Sequence, residues 1–446
     1  MKVSKGHRTL FVTQLCPYPA RGGGAMRVWQ NLNILAQSGE VALFSIFKGP
    51  RPEIKLPSCE LPGLKQWHHY DIGAPQRSRR EKIVRRLGWL RPGGHPRADW
   101  LYTQQAARQL KALIQLFQPT LILCAEIWPY RYFPILRSAR CPIILDNHNV
   151  EGDPARCLTP RNTLAKIRHI ERQWLQRADQ IWTCSQTDRD LLQQLYPHVS
   201  TSLQIVPNGV DPTLYATLKT NRTYPTPPPS TLYPLPSTPP PPLSHPSVPS
   251  PPASLGKETL TPTISSPPHS LTLLFLGRFS YPPNAEAADI LLEQIYPVLK
   301  QQVPDCRLVL VGIDPTPQML TLARDDAHSD IVVTGEVDDV GPYLAIADVM
   351  VVPLQSGSGT RLKLLEAFAA RCPVVSTPKG AEGLAVQDGQ QLYLRSTPAA
   401  IVEAVLDLWR NPDRGQQLAQ NAYTCLLQHY AWSTVAKQIE AALTMI

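Results

Sequence analysis

Residues 349–368 read VMVVPLQSGSGTRLKLLEAF. The first six residues are apolar and rich in β-branched side chains, with no polar alternation. A run of that kind is a strand covered on both faces of a sheet. A turn of small residues follows, with Ser358 or Thr360 as the expected helix N-cap. Leu362, Leu365 and Ala369 then recur at helical spacing and should face a core. Strand, glycine turn and helix in this order make half of a βαβ unit. In open parallel sheets of such units, ligands bind beyond the carboxyl ends of the strands. Gly357, Ser358, Gly359, Thr360, Arg361 and Lys363 all fall at that edge. An exposed Lys363–Glu366 pair, three residues apart, would explain the helix alone. It would not explain the glycine-rich turn or Arg361. GxxxxGK[ST] is absent, so the turn is not a Walker loop.

The same alternation extends in both directions. Upstream, apolar runs occupy 9–15, 41–47, 121–127, 142–150, 180–185 and 203–210, and downstream 271–279, 306–313, 330–337, 349–354 and 372–377. Helical stretches separate them, which predicts parallel sheets. The expected fold class is α/β: two doubly wound, Rossmann-like domains facing across a cleft. Residues 1–212 form the first domain and 271–425 the second, with 426–446 a closing helix that packs back on the first. Between the domains, 221–270 holds about a third of the chain's 47 prolines. Proline removes backbone donors and fixes φ, so 213–270 reads as a Pro-rich, disordered linker.

Composition narrows the partners. Net charge is +9, which favours anionic ligands. No basic stretch carries a nucleic-acid fold signature, so no nucleic acid is expected. The nine cysteines are scattered, and Cys124, Cys184 and Cys306 lie in apolar runs. They read as free thiols in a reducing compartment, with no metal-ligand spacing. No run approaches the roughly 18–20 apolar residues of a membrane span. The opening residues, MKVSKGHRTLFVTQLCPYPA, read as a first strand and not as a signal peptide. A cytoplasmic protein is expected. The basic stretch 76–102 mixes Arg and Lys with Ile, Leu and Trp. It suits either a solvated helix or peripheral contact with an anionic membrane on its inner face.

Other strand ends carry candidates. After the first strand, Gly22, Gly23 and Gly24 precede a helix with apolar Val28, Leu32 and Leu35. A glycine turn there lets backbone N–H groups and the helix dipole meet an anion. The run PIILDNHNVEG (142–152) ends in Asp146, His148 and Glu151, polar groups suited to a hydroxyl-rich ligand. FLGRFSYPPN (275–284) places Arg278 directly after a strand, a planar fork matched to phosphate. VTGEVDDV (333–340) puts Gly335, Glu336 and Val337 where backbone could meet a flat base.

These blocks resemble the GT-B glycosyltransferases, specifically retaining family 4, also called glycosyl transferases group 1. The resemblance rests on 13–32, on LDNHNVEG, on RADQIWTCSQTD (177–188), on IVPNGVD (205–211) and most strongly on 351–384. HYAWSTVAKQIEAAL (429–443) is similar to that family's closing helix. The resemblance implies a nucleotide-diphosphate sugar held mostly by the second domain and a glycan, lipid-linked or small-molecule acceptor held by the first, as in cell-envelope polysaccharide synthesis. Arg278 would grip the diphosphate, Glu366 the ribose, and backbone around Gly335–Val337 the base. His148 would sit beside the transferred sugar, and Gly22–Gly24 would line phosphate or acceptor. No metal and no cofactor are expected. Two positions depart from the family pattern. Ser358 stands where many members carry the first glutamate of E-x7-E. Pro283, followed by Asn284, stands where many carry a lysine five residues after the arginine. Lys363, with Arg361, is expected to supply the missing cation. A nucleotide-sugar 2-epimerase and a non-catalytic scaffold are the alternative readings.

Overall fold

The structure is a computed structural model that describes residues 7–18, 20, 22–50, 61–73, 94–154, 161–216, 270–325, 329–357, 359 and 361–446. Most of the expected linker and residues 76–93 of the basic stretch lie outside the described residues, as do Ser358 and Thr360.

Two parallel sheets organise the chain. The first has seven strands in the order β3-β2-β1-β4-β5-β6-β7. These are β1 (Arg8–Thr13), β2 (Glu40–Phe47), β3 (Leu64–Asp71), β4 (Leu121–Ala125), β5 (Ile143–Asn147), β6 (Gln180–Thr183) and β7 (Ser202–Ile205). The second has six, in the order β10-β9-β8-β11-β12-β13. They are β8 (Thr272–Leu276), β9 (Arg307–Val311), β10 (Ile331–Val333), β11 (Val349–Val352), β12 (Val374–Ser376) and β13 (Tyr393–Leu394). Every pairing is parallel. The fold is the expected pair of Rossmann-like α/β domains.

The continuous apolar strands follow from having a core on each face. Leu10 and Val12 of β1 enter one apolar cluster with Leu110, Phe117, Ile170 and Trp174. Phe11, between them, enters another with Val28, Leu32 and Trp182. Successive side chains point to opposite faces, so neither face can be polar. Trp174 is fully buried and donates its Nε1 proton to the Ile127 carbonyl at 2.8 Å. Truncating such a side chain to Ala costs about 3–5 kcal/mol.

The sequence reading missed β3 and β13. β3, LKQWHHYD, is an edge strand with mostly part-exposed residues, so it carries polar side chains and lacks the apolar signature. β13 has only two residues.

The domain border also differs from the composition reading. Pro212–Tyr215 forms a 3-10 turn, and Tyr215 is buried in the second domain's core. Structure therefore extends into the segment assigned to the linker, because Tyr215 has an apolar surface to occupy. The helix Pro412–His429 belongs to the second domain, where Leu418, Ala422 and Leu426 are buried. The chain then turns at Tyr430–Ala431, and the helix Trp432–Leu443 buries Val435, Ile439 and Ala442 against the first sheet's helix face. The two crossings between domains lie side by side: Val210 N–H donates to the Tyr430 carbonyl at 3.0 Å, and Trp432 N–H returns to the Val210 carbonyl at 3.3 Å. Among the described residues no helix is long and apolar enough to cross a membrane.

Candidate functional site

The carboxyl ends of the two sheets face each other. On the first domain's side, Gly22 caps the helix Gly23–Ser38 at φ +87°. A Cβ at Gly24 would stand 2.9 Å from Leu15 Cδ1, 3.5 Å from His148 Nδ1 and 4.0 Å from Glu126 Oε1. The helix start therefore packs closely against the ends of β4 and β5.

Beneath that contact lies a buried charge network. Arg27, on the second turn of the helix, donates from Nε to Asp146 Oδ1 at 2.9 Å and from Nη2 to the same oxygen at 2.5 Å. Its Nη1 reaches the Val206 carbonyl at 2.7 Å and Asn208 Oδ1 at 2.9 Å. Asn31 donates to Asp146 Oδ2 at 2.9 Å. Burial alone would raise the Asp146 carboxyl, but the Arg27 guanidinium and His148 outweigh it and hold it at about 2. An ionised carboxylate only accepts, so the 3.1 Å contact with His148 puts a proton on Nε2. In the neutral ring His148 Nδ1 is then an acceptor. It is buried without a hydrogen-bond partner and lies 3.6 Å from Glu126 Oε1. Glu126 sits in the left-handed region at φ +63°, and its other oxygen accepts from Gln14 Nε2. Two acceptors thus face each other beside Gly24, with no donor between them among the described residues.

On the second domain's side, three strand ends are stitched together by backbone. The Gly312 N–H donates to the Gly335 carbonyl at 3.1 Å. A Cβ on Gly312 would fall 1.7 Å from the Gly277 carbonyl oxygen, so β8 and β9 end in contact that only glycine allows. Gly335, at φ +71°, turns the chain after β10, and Glu336 and Val337 follow it. Arg278 follows β8; its side chain is half exposed, with Nη1 3.7 Å from Asp314 Oδ2.

The 357–366 segment contains corrections. The helix starts at Leu362, with Arg361 at the N-cap; the expected caps Ser358 and Thr360 lie outside the described residues. Arg361 points inward and is buried. It donates to the carbonyls of Gly357 at 3.3 Å and Lys379 at 3.0 Å. Its charge shapes the loop. Lys363 and Glu366 do not pair on the surface. The Lys363 ammonium donates to Asn284 Oδ1 at 2.9 Å and rests 4.3 Å from the Phe275 ring centroid. Burial lowers it to about 7, with Arg361 adding to the effect. Glu366 accepts from the Tyr215 hydroxyl at 3.4 Å, and burial raises its carboxyl to about 7.

The two walls meet through small residues. A Cβ on Gly23 would stand 3.4 Å from Leu362 Cδ1, and one on Gly359 would stand 2.9 Å from Asn149 Oδ1. Gly22–Gly24 and His148 on one side, and Gly359 with the helix that carries Lys363 and Glu366 on the other, therefore lie near the seam where the two domains meet. Asn284 links the Arg278 carbonyl to the Lys363 ammonium. Glu126, Arg27 and Tyr215 escaped the sequence reading, and Asn284 was named there without a role. Glu126 and Arg27 were visible as lone charges in apolar runs, LILCAEI and AMRVW, where a charge needs a buried partner.

Comparison with known proteins fits this geometry. Residues 63–214 match the family model Glycosyltransferase Family 4, and residues 270–411 match Glycosyl transferases group 1. The chain is 32% identical over 173 residues to a phosphatidyl-myo-inositol mannosyltransferase of Mycobacterium leprae, covering 38% of this chain and 45% of that protein. The chain therefore matches less than half the length of that relative. In structure it is similar to sucrose-phosphate synthase from Thermosynechococcus elongatus, with TM-score 0.66, 16% identity and 98% of each chain covered. It is also similar to Anabaena HepE in complex with UDP and glucose, with TM-score 0.63, 14% identity, and 99% of this chain and 100% of that one covered. The chain has the GT-B fold, and each of its two domains contains a segment that matches a glycosyltransferase family model.

Proposed function

We propose that the protein transfers a sugar from a nucleotide-diphosphate sugar to an acceptor hydroxyl, with retention of configuration. The observation that supports this reading is the close approach of strand ends from the two domains, Gly23 to Leu362 and Gly359 to Asn149, beside Lys363 and Glu366, with Arg278 at the end of β8. As the glycosyl–phosphate bond lengthens, positive charge grows on the sugar carbon and negative charge on the leaving diphosphate. Fixed cations beside the diphosphate lower that barrier, because they act where charge develops. In this reading Arg278 leaves its long contact with Asp314 for the diphosphate and Lys363 meets it from the other side, so no metal is required. Glu366 accepts from ribose hydroxyls, and backbone at Gly335–Val337 lies against the base. His148 and Glu126, at the ends of β5 and β4, lie on the side where the transferred sugar would sit.

The mannosyltransferase likeness supports a glycan or lipid-linked acceptor, and HepE, solved with UDP and glucose, supports a nucleotide-sugar donor. A lipid-linked acceptor would bring the protein to an anionic membrane surface, which liposome sedimentation reads directly.

The test is a thermal-shift screen with UDP-, GDP- and ADP-sugars. A bound donor raises the melting temperature through linkage. Arg278→Ala and Lys363→Ala should each remove the shift while the ligand-free melting temperature stays near that of the unaltered protein. Absence of any shift across the three series would sink the reading and favour a scaffold. Conversion of the donor to its epimer without an acceptor, seen by chromatography, would favour the 2-epimerase.

A further inference from the structure

We propose that Asn284 is a positioning residue that sets Arg278 and Lys363 in register on one diphosphate; this rests on the nucleotide-sugar reading above. Asn284 lies on the first turn of the helix Pro282–Ile290, directly beyond β8, and is buried. Its Nδ2 donates to the Arg278 carbonyl at 2.9 Å, and its Oδ1 accepts from the Lys363 ammonium at 2.9 Å. The amide can have only this orientation. A carbonyl cannot donate and an ammonium cannot accept, so both partners forbid a flip. The side chain is also wedged in place, since a Cβ on Gly277 would come within 2.9 Å of Asn284 Cγ. One rigid amide thus ties the backbone of one cation to the head of the other.

The chemistry of the tie matters. Asn284 is neutral, and among the described residues no carboxylate lies within ion-pair distance of Lys363 Nζ. The face of Phe275 below it favours the cation without carrying a formal counter-charge. Lys363 is therefore held in place with its charge available to an incoming anion. A carboxylate at 284 would hold it equally well and neutralise it. The same turn seats the glycine loop: a Cβ on Gly357 would stand 3.1 Å from Tyr281 Oη and 3.2 Å from Pro283 Cβ. The cation that families of this kind often place five residues after the arginine is supplied here from the helix Leu362–Ala369, and Asn284 fixes where it lands.

The test is calorimetry of the full chain with UDP, GDP and ADP and with the matching nucleosides. Asn284→Ala should weaken the diphosphate that binds by about ten- to a hundredfold, the value of a hydrogen bond to a charged group, and leave nucleoside affinity unchanged. Asn284→Asp keeps the shape and should weaken it too, because it neutralises Lys363 and cannot donate to the Arg278 carbonyl when ionised. Adding Asn284→Ala to Lys363→Ala should cost less than about twofold more, since residues in one network are not additive. Unchanged diphosphate affinity in the Ala and Asp variants, equal losses for nucleoside and diphosphate, or multiplying losses in the double variant would each overturn the inference. If the unaltered protein binds none of the three diphosphates, the nucleotide-sugar reading falls and takes this inference with it. Should Asn284→Ala fail to fold, the isosteric Asp variant still decides.

Discussion

Replacing Arg27 by Met or Asp146 by Asn should each destabilise the first domain by about 3–5 kcal/mol, because each leaves the other group buried with its charge unpaired. Both side chains are fully shielded from solvent. Arg27→Met removes two bonds to Asp146 and also uncovers the Val206 carbonyl and Asn208 Oδ1. Asp146→Asn keeps the volume but turns one acceptor into a donor facing Arg27 or Asn31. The double variant removes both charges, so its loss should fall short of the sum by about 2 kcal/mol. Urea unfolding followed by tryptophan fluorescence suits the measurement, since seven of the nine tryptophans precede residue 212 and report on that domain. At a slope of about 2–3 kcal/mol per M, each single change should lower the midpoint by about 1–2 M. The acid limb gives an independent check. The folded-state value of Asp146, about 2, lies below its ordinary 3.8. Its contribution, roughly 2–3 kcal/mol, is present above that ordinary value and is lost as pH falls towards 2. The Asn variant should lack this part of the acid loss. Strictly additive single losses, or an acid limb unchanged in Asp146→Asn, would show that the two charges are not coupled in the way their distances imply.

Gly24→Ala should lower transferase activity at least tenfold with a modest stability change, because the added Cβ displaces Leu15 and crowds His148, 3.5 Å away at Nδ1; initial rates beside melting curves decide, and full activity would mean that the position of His148 does not matter. In a Glu366→Gln background, diphosphate affinity should fall as pH rises from about 6.5 to 8.5, by up to about tenfold per unit, because Lys363, lowered to about 7, loses the proton the anion needs. Lys363→Arg in the same background should abolish that slope, and a slope that survives the change would assign it to another group.

The fold was legible because both sheets are covered on both faces, and that leaves long uninterrupted apolar runs. The edge strand Leu64–Asp71 had no such run, since water meets one of its sides. At the site, residues directly after strands were readable from position alone. Arg278, His148 and the Gly22–Gly24 turn all follow strand ends, as their positions in the sequence imply. What could not be read was which way a cation points. Arg361 and Lys363 are two residues apart, and both sat in the reading as phosphate ligands. The backbone carbonyls of Gly357 and Lys379 claim the first, and Asn284, 79 positions upstream, holds the second. Such partners come from other elements and leave no local spacing. Tyr215 was hidden by composition, because it stands at the threshold of a proline-rich run and yet fills the second core.

The helix Trp432–Leu443 has a consequence for the order in which the molecule is made. It covers the apolar face formed by Val28, Leu32, Leu35 and Trp182, yet it follows the last strand of that sheet by more than two hundred residues. At about 5–20 residues per second, a ribosome leaves that face open for roughly ten to fifty seconds after the sheet is complete. During that interval the first domain is a half-closed folding unit with a sticky side, and the second domain can finish first. A permuted chain that begins with residues 429–446, joined ahead of β1, would close the same core at the outset. Made by cell-free translation, it should aggregate less than the natural order, and an equal aggregated fraction of nascent protein would show that the late helix imposes no such delay.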